Sequence, residues 1–208
     1  MLALALEMST HRLYPALQSV PLEHYDVRMP LTLSDHILKA IEPVDTTLFE
    51  LVATGPNLPA PAELDAYESG LGFELPVFFR ELVLSPLGGL YVRAREAVWP
   101  HPESLEVVES GYFLRGVAIL GMATDNPLER LDLRFALQQV QAEGTRDFAP
   151  VLVLDGDNGV YGFDPHGGIQ FEVDGSISES DEQDFAALYT REIAGLIERQ
   201  ARYGRSLV

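Results

Sequence analysis

The sequence predicts an α+β fold in which helices pack against an antiparallel sheet, with an N-terminal extension before it. Three observations predict this architecture. Helical periodicity dominates the chain before residue 90, short apolar strands with turn signals follow as far as residue 173, and an amphipathic helix comes last.

The chain divides into two predicted parts. We expect residues 1–57 to form an extension that contains a helix and packs on the core, and residues 58–208 to form the α+β domain. The extension has prolines that interrupt any long helix. Met1, Met8 and Met29 all remain possible starts of translation.

The first predicted helix begins at Ser34, a good N-cap residue. Pro43 breaks or restarts it, and Leu48, Leu51 and Val52 continue at helical spacing. We therefore expect helix on both sides of Pro43.

A helical hairpin follows. Pro61 suits the first turn of one helix, and Pro76 starts a second that ends at Pro86. Short connections favour close antiparallel packing of the pair. The residues expected to face inward are Leu64, Tyr67, Leu71, Phe78, Phe79 and Leu82.

Strand patterns occupy most of the next 80 residues. The clearest signal is Asn158-Gly159, a hairpin dipeptide between two apolar runs. It predicts a three-stranded antiparallel meander. The predicted strands cover residues 90–92, 114–120, 130–135, 150–154, 160–163 and 169–173.

The last predicted element is a long amphipathic helix. Ser180 and Gln183 have capping-box spacing, and Gly204 is the expected C-cap. Its apolar stripe consists of Phe185, Leu188, Tyr189, Ile193, Leu196 and Ile197.

Charge restricts the possible partners. The chain has 32 acidic and 14 basic residues, a net charge of −18, and no cysteine. It lacks the basic footprint that nucleic acids require, would repel an anionic membrane and would attract a cationic polypeptide. Acidity that serves only solubility is the alternative. Lys39 is the only lysine, an arginine bias that we interpret as a sign of a bacterial source.

The N-terminus does not resemble a secretory signal. Glu7 ends the first apolar run, and no basic residue comes before Arg12. No run approaches the ~20 apolar residues of a membrane span. We expect a cytoplasmic protein that is not bound to a membrane.

Catalytic and cofactor motifs are not recognisable, so we expect no enzyme and no cofactor. Asp155, Asp157, Asn158 and Asp164 could hold calcium, but a hairpin turn explains them better. An enzyme with an unrecognised site between Asp155 and His166 remains an alternative.

An acidic run near the C-terminus is the candidate partner-binding site. It contains no Lys or Arg, and a solvated face without function is the alternative. Its members are Glu172, Asp174, Glu179, Asp181, Glu182 and Asp184.

A series of short motifs resembles the SUKH superfamily, which includes a fungal cell-wall-assembly regulator and many bacterial immunity proteins. The series is Leu58-Pro59, Glu68, Leu71-Gly72, Leu75-Pro76, Phe79, Leu82 and Gly88-Gly89. The match covers roughly residues 58–200. The chain departs from the pattern at Leu87, where the family often has Asn, and residues 136–149 resemble an insertion.

The resemblance implies an α+β domain that binds protein and has no catalytic centre. Glu68, Leu75, Pro76, Gly88 and Gly89 would then be structural. We expect an immunity protein that binds and neutralises the cationic domain of a cognate toxin. A general interaction module in a regulatory complex is the alternative, and the oligomeric state stays open.

Overall fold

The computed structural model describes residues 31–53, 58–100, 110–122, 131–142, 144–156 and 159–204. Within these ranges the chain forms five α-helices and seven antiparallel strands. The predicted α+β class is confirmed.

The helices differ in length, and only the last is long. Among the described helices, none combines the length and apolarity that crossing a membrane requires. Their bounds are α1 Leu33–Ile41, α2 Pro61–Leu71, α3 Val77–Val83, α4 Leu133–Ala142 and α5 Phe185–Tyr203.

The seven strands form one sheet in which each pairs with its neighbours along the chain. The predicted meander is confirmed as β4, β5 and β6, and β7 extends it by a strand that the sequence analysis did not predict. The bounds are β1 Phe49–Val52, β2 Tyr91–Ala94, β3 Gly116–Ile119, β4 Ala149–Asp155, β5 Val160–Phe163, β6 Ile169–Val173 and β7 Ser176–Glu179.

The first elements correct two expectations. Thr32, and not Ser34, caps α1, because its hydroxyl accepts the Asp35 N–H at 3.2 Å while the Asp35 carboxylate accepts the Thr32 N–H at 2.9 Å. The helix does not resume after Pro43. Instead, the apolar residues of 49–52 form β1 and pair with β2.

The expected boundary between residues 57 and 58 falls inside the fold. One compact unit spans Leu31–Val208, so α1 and β1 belong with the elements that follow. The antiparallel pairing of β1 with β2 joins this part of the chain to the sheet.

The helical hairpin forms as α2 and α3, with one difference. Leu64, Tyr67, Phe79 and Leu82 are buried as expected. Phe78 is 42% exposed, because it lies on the solvent side of α3 while its ring edge contacts Phe163 at a centroid distance of 5.9 Å.

Residues 131–135 do not form the strand that the sequence predicts for residues 130–135. Asp132 makes an isolated bridge to Gly121, and α4 begins at Leu133. The Asp132 carboxylate accepts the Arg134 N–H at 2.8 Å and so satisfies a donor in the first turn. The alternation seen in the sequence is also the start of a helical pattern, and α4 buries Leu133, Ala136 and Val140.

The sheet buries residues on both faces. Val92 belongs to the main core with α5, which contributes Leu188 and Leu196. Because successive strand residues point to opposite faces, Tyr91 lies on the second face, where it packs with Ala118.

Candidate protein-binding surface

The β6–β7 hairpin positions the C-terminal acidic residues. Its turn consists of Asp174 at φ 50° and Gly175 at φ 78°, between the paired residues Val173 and Ser176. Two consecutive positive φ angles are typical of a type I′ turn, which Asp-Gly sequences favour. This dipeptide was the sequence signal that could have predicted β7.

The hairpin turns Glu172 away from the predicted binding surface. Glu172 is 1% exposed, and its carboxylate accepts the Gly175 N–H at 2.7 Å. It therefore stabilises the turn. Asp174 is exposed in the turn, at the opposite end of β7 from Glu179.

The other acidic residues lie at the end of β7 and in the loop that follows it. Glu179 is exposed, and Asp181, whose side chain is 82% exposed, pairs with Arg191 at 2.8 Å. This hydrogen bond from the Arg191 guanidinium holds the pKa of the Asp181 carboxyl below its ordinary value. Glu182 is half-buried and accepts the Asp184 N–H at 2.9 Å. We name Glu179, Asp181 and Glu182 the acidic rim.

Asp184 has a separate role as the N-cap of α5. Its carboxylate accepts the N–H groups of Ala186 and Ala187 at 2.8 and 3.3 Å. The predicted capping box of Ser180 and Gln183 is therefore wrong.

Gln183 instead connects the acidic rim to the sheet. Its side-chain amide accepts the Ile169 N–H at 2.8 Å and donates to the Ile169 carbonyl at 3.0 Å. The loop that carries Asp181 and Glu182 is thereby fixed at the start of β6.

Glu68 is at the centre of a network between α2 and α3. It is 5% exposed, accepts the Leu75 N–H at 2.7 Å and forms an ion pair with Arg80. Arg80 also pairs with Asp65 at 2.8 Å. Pro76 is the N-cap residue of α3, so this network fixes the turn between the two helices.

The Gly88-Gly89 pair lies where there is no room for a side chain. A Cβ on Gly88 would lie 2.7 Å from the Val83 carbonyl oxygen, and Gly89 has φ 87°. Gly121, two residues after the end of β3, approaches this pair, and a Cβ on Gly121 would lie 2.5 Å from the Gly89 nitrogen. Glycine is required here for close backbone packing.

The structure separates the residues considered for catalysis. Asp155 lies at the end of β4 and accepts a hydrogen bond from the Tyr91 hydroxyl. His166 is exposed in the turn between β5 and β6, at the other end of β5. The Asp164 carboxylate accepts the His166 N–H at 2.8 Å, as a turn residue does.

Asp155 borders a polar cavity of about 300 Å³ that also touches Arg93 and Arg115. Asp157 and Asn158 of the calcium alternative lie outside the described residues. In the part of the chain that the structure describes, no three His or carboxylate side chains gather as a metal site would require.

Comparisons with known proteins add no assignment. No family model matches the chain, and no match was found among curated proteins or solved structures. The resemblance to the SUKH superfamily stays a prediction from the sequence.

Proposed function

We propose that this chain is a SUKH-type protein-binding domain of bacterial, cytoplasmic origin that captures a cationic polypeptide. As an immunity protein, it would neutralise a basic toxin domain. The observation that carries the proposal is the acidic rim, where three carboxylates lie within four residues beside one guanidinium, Arg191.

Local charge supports a binding role for the rim. Arg191 divides its hydrogen bonds between Asp181 and Glu192, so it compensates the rim only in part. Glu179 has no ion pair with any described residue. The rim therefore keeps an excess of negative charge at an exposed position, which attracts a basic surface and accelerates encounter.

The net charge of −18 supports the same partner chemistry. A basic nuclease-type toxin carries the charge that nucleic-acid binding requires, so an acidic protein can cover the surface that the toxin needs for its substrate. Long-range attraction between the two proteins would be strongest at low salt.

The first experiment asks whether a partner exists. The protein should co-purify with the product of an adjacent gene that ends in a toxin-like domain, and it should restore growth of cells that express that domain. Failure to rescue growth against every adjacent candidate would refute the immunity function.

The second experiment tests the acidic rim with matched charge changes. The pair Glu179→Lys and Glu182→Lys raises the net charge by four, from −18 to −14. The control pair, Glu42→Lys and Glu81→Lys, makes the same change at two exposed positions outside the rim. We expect the rim pair to slow association with the toxin domain by at least about tenfold at low salt, and the control pair by less than about twofold. Equal effects of the two pairs would show that only net charge matters.

A further inference from the structure

Strand β7 is an exposed edge of the sheet. It is the last strand in the sheet order, and all four of its residues are exposed. Ile177 is 42% exposed at its centre.

The register shows which backbone groups of β7 point away from the sheet. Ser180 donates its N–H to the Ile169 carbonyl at 2.9 Å, and residue 178 lies opposite residue 171. Backbone groups of an antiparallel strand alternate between its two sides. Ser178 therefore faces β6, and the N–H and C=O groups of Ile177 and Glu179 point outward. No described strand pairs with them.

Natural edges are blunted by short length, by charged side chains such as lysine, by proline or by a bulge. Strand β7, Ser-Ile-Ser-Glu, is four residues long and carries one charge, Glu179, but it contains no lysine or proline and its pairing with β6 is regular. Exposed, unpaired and regular edges accept an additional strand from another chain.

Charge selects the occupant of this edge. Pairing two copies of β7 would bring two acidic rims to one interface, and like charges across strands are destabilising. A basic strand is favoured instead. Because Ile177 and Glu179 lie on the same face, the added strand would place an apolar residue opposite Ile177 and Lys or Arg opposite Glu179.

We propose that β7 is a strand-addition site that binds an extended, basic segment of the partner polypeptide. The proposal rests on the proposed function and names how the partner is held. Backbone hydrogen bonds to Ile177 and Glu179 supply the pairing, and the acidic rim supplies the preference for cations.

The test uses the full chain and a synthetic peptide with capped ends. In this peptide every second residue is Thr, and the residues between them are Arg, Val and Arg in that order. We expect it to shift the amide NMR signals of Ile177 and Glu179 and to protect both from hydrogen exchange. A peptide of equal charge with an N-methylated Val lacks one donor, and we expect it to bind at least about tenfold more weakly. A third peptide, with Glu in place of Arg, should not bind measurably.

Variants of the protein test the same contact from the other side. Ile177→Pro removes an outward N–H and leaves the ladder to β6 intact, so it should weaken binding of the Arg peptide at least about tenfold. Ile177→Thr keeps the N–H and should change binding by less than about threefold. Circular dichroism and thermal melting of Ile177→Pro show whether the fold is retained. Glu179→Pro repeats the test at the second outward N–H and is compared with Glu179→Gln, because both variants lose the carboxylate and only the proline variant loses the N–H.

Any of four results would overturn strand addition. If the N-methylated peptide binds like its parent, Ile177→Pro binds like the unsubstituted protein and Glu179→Pro binds like Glu179→Gln, charge alone holds the partner, and the proposed function survives without this mode. If the toxin domain is captured but no peptide binds, another surface is used. If the outward amides are already protected in the free protein, or if Ile177→Pro dissociates a dimer of the chain, the edge has a different occupant.

Discussion

Replacement of the buried Glu68 by Ala should destabilise the domain, because its carboxylate has two partners in the turn between α2 and α3. One carboxylate oxygen accepts the Leu75 N–H at 2.7 Å, and the other pairs with Arg80. Leu75 is 3% exposed, and the Glu68 carboxylate is the acceptor of its N–H. The substitution therefore leaves a buried donor unpaired and an arginine with one carboxylate fewer.

The magnitude follows from these contacts. An unpaired buried N–H costs about 1–3 kcal/mol. The lost ion pair adds about 1 kcal/mol and not the 3–5 kcal/mol of a fully buried pair, because the Arg80 side chain is 26% exposed and keeps Asp65. We expect a loss of about 3 kcal/mol, which corresponds to a decrease in Tm of roughly 6–12 °C.

Urea denaturation followed by circular dichroism measures this difference, with two matched variants as references. Glu68→Gln keeps an oxygen for the Leu75 N–H and should cost about 1 kcal/mol. Asp65→Ala also removes a partner of Arg80, but the Asp65 side chain is 62% exposed and should contribute no more than about 0.5 kcal/mol. If Glu68→Ala and Asp65→Ala were equally stable, the carboxylate would not hold the turn.

Other substitutions test separate features. Gly88→Ala should cost about 1–3 kcal/mol in urea denaturation, since its Cβ would meet the Val83 carbonyl oxygen at 2.7 Å; an unchanged midpoint would contradict the close packing. Asp184→Ala should cost about 1 kcal/mol by removing the cap of α5, while Asp184→Asn should cost less than half as much. Equal losses would show that the cap is not used. Burial raises the pKa of the Tyr67 and Tyr189 hydroxyls. The free energy of unfolding should therefore fall as the pH rises above the ordinary tyrosine pKa of about 10. The dependence of Tm on pH measures this loss of stability, and tyrosinate absorbance near Tm follows the ionisation. Tyr189→Phe should be neutral or stabilising and should reduce the loss of stability at alkaline pH. The reason is that the buried Tyr189 hydroxyl has no hydrogen-bond partner among the described residues. A destabilised Phe variant would reveal a partner for the hydroxyl.

The acidic residues show how far local pattern predicts a surface. The run at residues 172–184 was visible as a charge pattern, but a charge pattern does not determine which way each side chain points. Glu172 is buried because strand alternation and the type I′ turn direct its carboxylate to the Gly175 N–H. Asp184 is a cap, and Asp181 is paired with Arg191, a residue ten positions away.

The sequence by itself determined the α+β class, the helical hairpin, the central meander and the last helix. These features follow from short-range periodicity and turn residues, which act within a few positions. Tertiary structure alone decided that residues 49–52 join the sheet as β1 and that α4 replaces a predicted strand. It also decided that β7 presents an open edge, since its exposure depends on which strand lies beside it. Short apolar runs fit helix and strand equally well, and only long-range pairing and burial select between them.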